Sequence, residues 1–208
     1  MTKEEFINRI ESLNTYADCV SFQREICADE NIWFFENQFG SKAHEKYLKF
    51  RSYMAEKFSI SPQEVTIGGS AKFGFSLNPR KNYKEFDLNS DIDIVIISEK
   101  LFESLWDDLL ESFVKNEYGL GSYYDYASSN VFKRFIDTKK LDRFLGTNYL
   151  KWIQKTEGYI RDLQIDYNFP EKIGYRIYIS YEDYNINVIK NLKDLKGDEN
   201  ENNWQYFN

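Results

Sequence analysis

Cysteine, histidine, proline and glycine are all scarce in this sequence, and their scarcity narrows the kinds of protein it can encode. Three prolines and ten glycines in 208 residues argue against a long disordered linker. The two cysteines, Cys19 and Cys27, have no second pair with which to build a metal site. We expect both to stay reduced, as in a cytoplasmic protein. The single histidine, His44, lies near the start of a predicted helix, where we expect a surface or capping role.

Excess positive charge and long apolar runs are also missing. With 27 basic and 34 acidic residues the net charge is −7, which disfavours bulk nucleic-acid binding. No apolar run approaches the roughly 20 residues that span a bilayer, so we expect no membrane partner. The opening residues MTKEEFINRI are charged and amphipathic, so we expect no signal peptide. The acidic surface suits a protein partner better than bulk nucleic acid.

Aromatic residues, by contrast, are abundant. Seventeen Phe and sixteen Tyr contribute to an aromatic share of 18%, within a hydrophobic share of 42%. This composition predicts a bulky core, and the chain length fits one domain with helical additions.

The first part of the chain, 1–60, is predicted to be a helical segment packed on the core. Thr2 followed by Glu5 is typical of a capping box at the start of a helix. A second helix is predicted from about Ser21 to Gln38. A third, AHEKYLKFRSYMAEKF, has one aromatic stripe at helical spacing.

The part that follows, 61–195, mixes strand and helix signals, and the predicted fold class is α+β. A small mixed β-sheet is expected, with N-terminal and C-terminal helices packed around it. Predicted strands are VTI, DIDIVIIS and KIGYRIYIS, and predicted helices are EKLFESLWDDLLESFV, 131–145, 148–163 or beyond, and YEDYNINVIKNLKDL. Residues 118–130 are predicted to be an exposed loop, and 196–208 a flexible acidic tail.

Two carboxylates stand at the head of the most apolar predicted strand, in the stretch SDIDIVII. Asp91 and Asp93 are two residues apart, so in a strand their side chains project from the same face, while Ile92 and Ile94 project from the other. The two negative charges would repel unless a cation lay between them. Mg²⁺ binds through one or two such carboxylates together with substrate phosphates.

A second motif lies upstream, where Gly68, Gly69 and Ser70 follow the predicted strand VTI. Glycine allows a phosphate to approach the backbone closely, and the hydroxyl of Ser70 adds a hydrogen-bond donor. A GGS turn alone is a weak signal. A strand, a GGS turn and a short helix, followed by D-x-D on the next strong strand, form a more specific combination.

With these two motifs the sequence resembles the nucleotidyltransferase superfamily of DNA polymerase β type, over about residues 62–98. The resemblance implies a Mg²⁺- or Mn²⁺-dependent transfer of a nucleoside monophosphate from an NTP or dNTP to an acceptor hydroxyl, with release of pyrophosphate. It implies that Asp91 and Asp93 ligate metal, and that Gly69 and Ser70 hold phosphate, assisted by Lys72. It also suggests a setting such as antiphage defence or a toxin–antitoxin pair.

The sequence departs from the family pattern in two respects. The gap between the turn and the acids is long, and the insertion PRKNYKEFDLN within it carries the basic residues Arg80, Lys81 and Lys84. The family also uses a third carboxylate, from a later strand. The candidate is Asp166, if its segment is extended. The alternative for that segment is a helix, and Asp162 and Glu182 are the next candidates.

The sequence also raises two other interpretations. Asp87, Asn89 and Asp91 resemble the opening of a calcium loop, but Ile92 and Ser98 occupy the positions that require glycine and glutamate. Without a third acid, the chain would instead be a catalytically weak module that binds nucleotide or a partner protein. The leading hypothesis remains a cytoplasmic nucleotidyltransferase.

Overall fold

The computed structural model describes residues 1–115, 120–139, 147–170 and 172–196. The helices are α1 Lys3–Ser12, α2 Tyr16–Ala28, α3 Trp33–Phe39, α4 Ala43–Phe58, α5 Gly69–Phe73, α6 Glu99–Val114, α7 Leu120–Phe132, α8 Thr147–Tyr167 and α9 Tyr181–Lys196. The strands are β1 Val65–Gly68, β2 Ile92–Ile97, β3 Phe135–Asp137 and β4 Ile173–Tyr178. This is the α+β architecture that the sequence predicts, with helices at both ends of the described chain.

The four strands form one mixed sheet in the order β1-β2-β4-β3. Strand β2 pairs antiparallel with β1 and parallel with β4, and β3 completes the sheet antiparallel to β4. The register places Asp93 of β2 between Gly68 of β1 and Gly174 of β4. Both lateral neighbours of this carboxylate therefore lack a side chain.

The alternating pattern of β2 gives the sheet two different faces. Ile92, Ile94 and Ile96 lie in the main core, while Val95 and Ile97 belong to a separate small cluster on the opposite face. Helices α3, α4, α6 and α8 all contribute buried side chains to the main core. Asp93, which alternates with these isoleucines, therefore projects from the face opposite the main core.

Aromatic packing dominates the main core, as the composition predicts. Phe50 of α4 is fully buried, and its ring lies 5.7 Å from Phe35, 6.0 Å from Tyr167 and 5.5 Å from Phe169, measured between centroids. Offset or edge-on aromatic pairs of this kind add to the stabilisation that burial provides. These contacts join α3, α4 and the end of α8.

The predicted start of α1 is confirmed in detail. The side chain of Thr2 accepts a hydrogen bond from the Glu5 amide, and the side chain of Glu5 accepts one from the Thr2 amide. This reciprocal capping satisfies backbone donors that the first helical turn leaves without partners.

The prediction of a single helix over 21–38 was wrong, because the chain breaks between α2 and α3. The Asp29 side chain caps its own turn by accepting a hydrogen bond from the Asn31 amide at 2.9 Å. Ile32 then enters the core with 1% exposure. A local side-chain-to-backbone bond and a buried apolar anchor together redirect the chain.

The predictions for 118–130 and 131–145 were also wrong in their described parts. Helix α7 occupies most of the predicted loop, because Tyr126, Ala127 and Val131 pack on the main core from one side of the helix. Strand β3 replaces part of the predicted helix, and its pairing with β4 is a tertiary contact that local periodicity does not reveal. Residues 140–146 and the predicted tail from 197 onwards lie outside the described residues.

Within the described ranges, no helix combines the length and the apolar character that a membrane crossing requires. Cys19 is buried and Cys27 is half-buried, and no disulfide joins them.

Replacing Phe50 with alanine should lower the free energy of unfolding by about 3–5 kcal/mol, because it removes a buried ring and leaves a cavity. The matched control is Phe132→Ala, since Phe132 is 88% exposed and its removal should change the free energy by less than about 0.5 kcal/mol. Urea unfolding followed by circular dichroism measures both. Equal losses would contradict the assigned core.

Candidate functional site

The predicted acidic pair lies at the start of β2, on the face of the sheet opposite the main core. Asp91 directly precedes the strand, and Asp93 is its second residue. The Asp93 side chain is largely buried, with 10% exposure, whereas that of Asp91 is 37% exposed. Both carboxylates point toward the same neighbour, which is the side chain of Lys139.

Lys139 bridges the two acids. Its Nζ donates hydrogen bonds to Oδ2 of Asp91 and to Oδ1 of Asp93. The second carboxylate oxygen of Asp93 lies 3.2 Å from a terminal guanidinium nitrogen of Arg176, on β4. The acidic pair is thus neutralised by two cations of its own chain. The sequence predicted a cation between the acids but gave no indication that a lysine lies there.

The backbone before Lys139 is fixed from both sides. Oδ1 of Asp137 accepts a hydrogen bond from the Lys139 amide at 3.0 Å. The hydroxyl of Thr138 donates to the carbonyl of Tyr175 and accepts from its amide, each at 3.2 Å. The Lys139 side chain then crosses directly over Gly174, where a Cβ would collide with its methylene groups. Glycine at this position therefore gives the lysine its path to the acids.

Arg176 joins Asp93 to a third carboxylate, that of Asp137 on β3. Its Nε lies 3.8 Å from Oδ2 of Asp137. The same Oδ2 accepts a hydrogen bond from the hydroxyl of Tyr126 at 2.8 Å. Asp137 is 5% exposed and is committed to these partners and to the Lys139 amide. Asp137 therefore positions both cations of the site, Lys139 through its backbone amide and Arg176 through its guanidinium group.

The ionisation equilibria follow from this network. Burial alone would raise the pKa of Asp91, but the hydrogen bond and charge of Lys139 outweigh it, and the pKa lies below its usual value. Burial would lower the pKa of Lys139, yet the charge of Asp93 and the bonds to both acids raise it. Burial likewise opposes the charge on Arg176, and Asp93 foremost holds its pKa above the usual value. Each partner stabilises the ionised form of the other.

The glycine turn lies directly beside Asp93. Gly69 has a positive φ of 62°, which favours glycine, and a Cβ there would lie 2.6 Å from Oδ2 of Asp93. A side chain at this position would thus meet both backbone strain and a carboxylate. The two motifs that carry the family resemblance, about 20 residues apart in sequence, are adjacent in space.

The turn and the acids border one open cleft of about 550 Å³. Among the described residues that line it are five basic side chains, Arg80, Lys81, Lys133, Lys139 and Arg176, and three acidic ones, Asp91, Asp93 and Asp194. The chain as a whole is acidic, so the positive excess is local. An excess of one charge sign in a cleft raises the local concentration of ligands of the opposite sign. A further part of the lining is apolar or aromatic, with Phe73, Leu77, Tyr184 and Val188.

Four of the predicted site residues come together, and two do not. Asp91, Asp93, Gly69 and Ser70 all line the cleft. Lys72 belongs to α5 but is 5% exposed, and its Nζ donates to the carbonyl of Asp29 at 3.1 Å. Burial foremost lowers its pKa. Because its amine is turned toward α2, Lys72 is not a residue of the cleft, which corrects the prediction.

Asp166 is the other correction, because its segment is helical and not extended. It lies near the end of α8, where Leu163 and Tyr167 are buried in the main core at helical spacing and Asp166 is exposed. The other two acids considered are also elsewhere: the hydroxyl of Tyr53 donates to Asp162, and Glu182 is exposed on the first turn of α9. None of the three lines the cleft.

The basic residues of the insertion divide between two roles. Arg80 and Lys81 line the cleft. Lys84 instead pairs with Asp87 at 2.8 Å, and this contact, with the Ser90 hydroxyl, lowers the pKa of Asp87 to about 2. The insertion therefore contributes charge to the site while fixing its own conformation.

Sequence reasoning missed Lys139, Arg176 and Asp137. Arg176 had a usable signal, since Gly174, Arg176 and Tyr178 alternate with Ile173, Tyr175 and Ile177 and so share one face of a strand. The missing information was the parallel register with β2. The sequence around Asp137 and Lys139 gives no comparable indication of a strand, because a helix is predicted over 131–145.

Within the described ranges, no group of three or more His, Cys, Asp or Glu side chains is arranged to hold a metal ion. A metal at Asp91 and Asp93 would therefore draw its remaining ligands from water or from a bound substrate.

Comparisons with family models, with curated proteins and with solved structures find no match for this chain. The family resemblance accordingly rests on the residues of the two motifs.

Replacing Asp93 with asparagine should destabilise the fold by about 2 kcal/mol or more, because it leaves Lys139 and Arg176 facing a neutral group. Asp194→Asn is the matched control. Its exposed pair with Lys190 on α9 should contribute less than about 0.5 kcal/mol. Chemical denaturation at neutral pH compares the variants, and an Asp93→Asn variant as stable as the control would refute the ion-pair network.

The contribution of Asp91 should depend on pH. Because its folded pKa is depressed, its stabilisation is present above the unfolded value, near pH 4, and is lost as the pH falls through the folded value. The difference in unfolding free energy between wild type and Asp91→Asn should therefore be largest near neutrality and shrink in acid. Denaturation curves at a series of pH values measure it. A difference that stays constant down to about pH 3 would contradict this assignment.

Proposed function

We propose that the chain is a Mg²⁺- or Mn²⁺-dependent nucleotidyltransferase of the cytoplasm, which transfers a nucleoside monophosphate from an NTP or dNTP to an acceptor hydroxyl. One observation carries the proposal. The glycine turn and the acidic pair meet in one cleft, where two carboxylates converge on a single cationic atom. A setting such as antiphage defence or a toxin–antitoxin pair is part of the proposal.

The residues of the site fit a divalent cation. Oδ2 of Asp91 and Oδ1 of Asp93 already share one positive group, the Nζ of Lys139, so their geometry accommodates a small cation. Hard carboxylate oxygens are suitable ligands for Mg²⁺, which commonly keeps water and takes phosphate oxygens as its remaining ligands. When bound, the cation would neutralise charge on the phosphates and lower the barrier to displacement.

The rest of the cleft fits the triphosphate. Gly69 and Ser70 line the same cleft as Asp93, and glycine lets a phosphate approach the backbone closely. Arg80, Lys81 and Lys133 add positive charge from outside the sheet. Such groups would hold the phosphates in place and offset the negative charge that accumulates on the leaving pyrophosphate.

The proposed step is an in-line displacement at the α-phosphorus. The acceptor oxygen forms a bond to that phosphorus, its proton passes to solvent, and the bond to the oxygen that bridges to the β-phosphorus breaks. Pyrophosphate leaves with that electron pair. The cleft contributes position and charge, which supply most of the catalysis in phosphoryl-type transfer.

A second candidate function is nucleotide or partner binding without efficient transfer. The observation that favours it is the commitment of the acids to Lys139 and Arg176, together with the third carboxylate, Asp137, being held by Arg176 and Tyr126. A site whose charges are already satisfied can bind an anion through the surrounding basic residues without activating a hydroxyl.

The full chain should therefore be incubated with each α-labelled NTP and dNTP, with Mg²⁺ or Mn²⁺, and with RNA, DNA, protein and small-molecule acceptors. The proposal predicts a labelled acceptor and released pyrophosphate. Asp93→Asn should reduce the rate by about a hundredfold or more, because it removes a metal ligand. Asp166→Asn, a change of the same kind on the exposed end of α8, should leave the rate unchanged.

Nucleotide binding measured by calorimetry separates the two functions. Binding without product in any combination would favour the second candidate. Product formed equally well by Asp93→Asn would contradict both the metal role and the site.

A further inference from the structure

Lys139 occupies the position that the proposed function gives to a metal ion. Its Nζ contacts one oxygen of Asp91 and one oxygen of Asp93, so both carboxylates are committed to the same ammonium group. A divalent cation cannot take both oxygens while that contact lasts. Metal binding must therefore include displacement of the Lys139 ammonium from the two carboxylates.

We propose that Lys139 is an exchangeable internal counterion. A divalent cation displaces its Nζ from Asp91 and Asp93, and the released ammonium binds a phosphate of the incoming nucleotide. This inference rests on the proposed function and deepens it, because it makes metal and nucleotide binding cooperative through one side chain.

The two cations of the site differ in how firmly they are held. Arg176 lies in the sheet between Asp93 on one side and Asp137 on the other, and it remains paired whichever cation sits on Asp91. The Lys139 amide is fixed by Asp137, but the hydrogen bonds of its side chain go to the two acids that a metal would take, and that side chain is 25% exposed at the cleft. Lysine is the exchangeable partner because its four-carbon stem is flexible and its charge is compact.

The path for this exchange is open. The stem of Lys139 crosses Gly174, which presents no side chain, and both Lys139 and the glycine turn border the same cleft. Because Lys139 lines the cleft, an ammonium that leaves the acids can stay within it. There it would face the phosphates that the turn is proposed to hold.

Charge balance favours the exchange only when a nucleotide is present. Asp91 and Asp93 are balanced by Lys139 and Arg176, so a divalent cation alone would create a positive excess in the cleft. A polyphosphate offsets that excess and gives Lys139 a new partner. By linkage, the nucleotide then strengthens metal binding and the metal strengthens nucleotide binding by the same factor.

The test uses the full chain with two probes, Mn²⁺ alone and inorganic tripolyphosphate at saturating Mg²⁺. Lys139→Gln should bind Mn²⁺ about tenfold more tightly than wild type, because the internal competitor is gone. The same variant should bind Mg²⁺–tripolyphosphate more weakly than wild type. Electron paramagnetic resonance of free Mn²⁺ and calorimetry give the two affinities. Opposite changes distinguish exchange from a structural role, which would weaken both.

Two control variants keep the result interpretable. Lys100→Gln removes the same charge from the exposed start of α6, after the far end of β2, and should leave both affinities at the wild-type value. Lys139→Arg retains the positive charge and should bind Mn²⁺ no more tightly than wild type. Unfolding midpoints confirm that each variant is folded.

The outcomes separate this inference from the proposed function. If Lys139→Gln binds Mn²⁺ no better than wild type while wild type still binds it, the exchange is refuted and the metal role of the acids stands. If the tighter binding persists in Lys139→Gln combined with Asp93→Asn, the metal lies elsewhere and the exchange is also refuted. If neither wild type nor Lys139→Gln binds Mn²⁺, with or without tripolyphosphate, both proposals fail.

Discussion

The contact of Lys139 with Asp91 and Asp93 is the interaction on which the candidate site depends. Two carboxylates on one face of a strand repel each other, and burial of Asp93 increases the cost of its charge. Two cations of the same chain offset these negative charges: Lys139, which follows β3, and Arg176 of β4. A cation that binds the acids must therefore compete with partners that are already present.

The sheet explains why these groups meet. The register opposes Asp93 to Gly68 and Gly174, so the carboxylate has no lateral side-chain neighbour, and one of those glycines leaves the path that Lys139 follows. The opposite face carries the aromatic core, in which Ile92, Ile94 and Ile96 of β2 are buried. The main core and the candidate site thus lie on opposite faces of the same strands. The positive charge of the cleft arises separately, from the insertion before β2 and from the segment after α7.

Local patterns predicted the parts of this arrangement that local physics determines. The alternation in SDIDIVII correctly gave the strand, its two faces and the acidic pair, and the capping box correctly gave the start of α1. Two failures share a physical origin, since β3 and the Lys139 contact depend on tertiary pairing that no short window contains. Asp166 is a different case. The helical periodicity of its segment is visible in the sequence, and the segment is a helix and not the strand that a third carboxylate would need.

The most direct measurement of the central claim is a crystal structure of the chain with Mn²⁺ and a non-hydrolysable nucleoside triphosphate analogue. Anomalous scattering locates the metal independently of any assumption about its ligands. The account predicts an anomalous peak between the carboxylates of Asp91 and Asp93, phosphate density at Gly69 and Ser70, and the Lys139 ammonium moved from the acids onto a phosphate. An occupied nucleotide site with no metal at the acids and Lys139 still bridging them would contradict it.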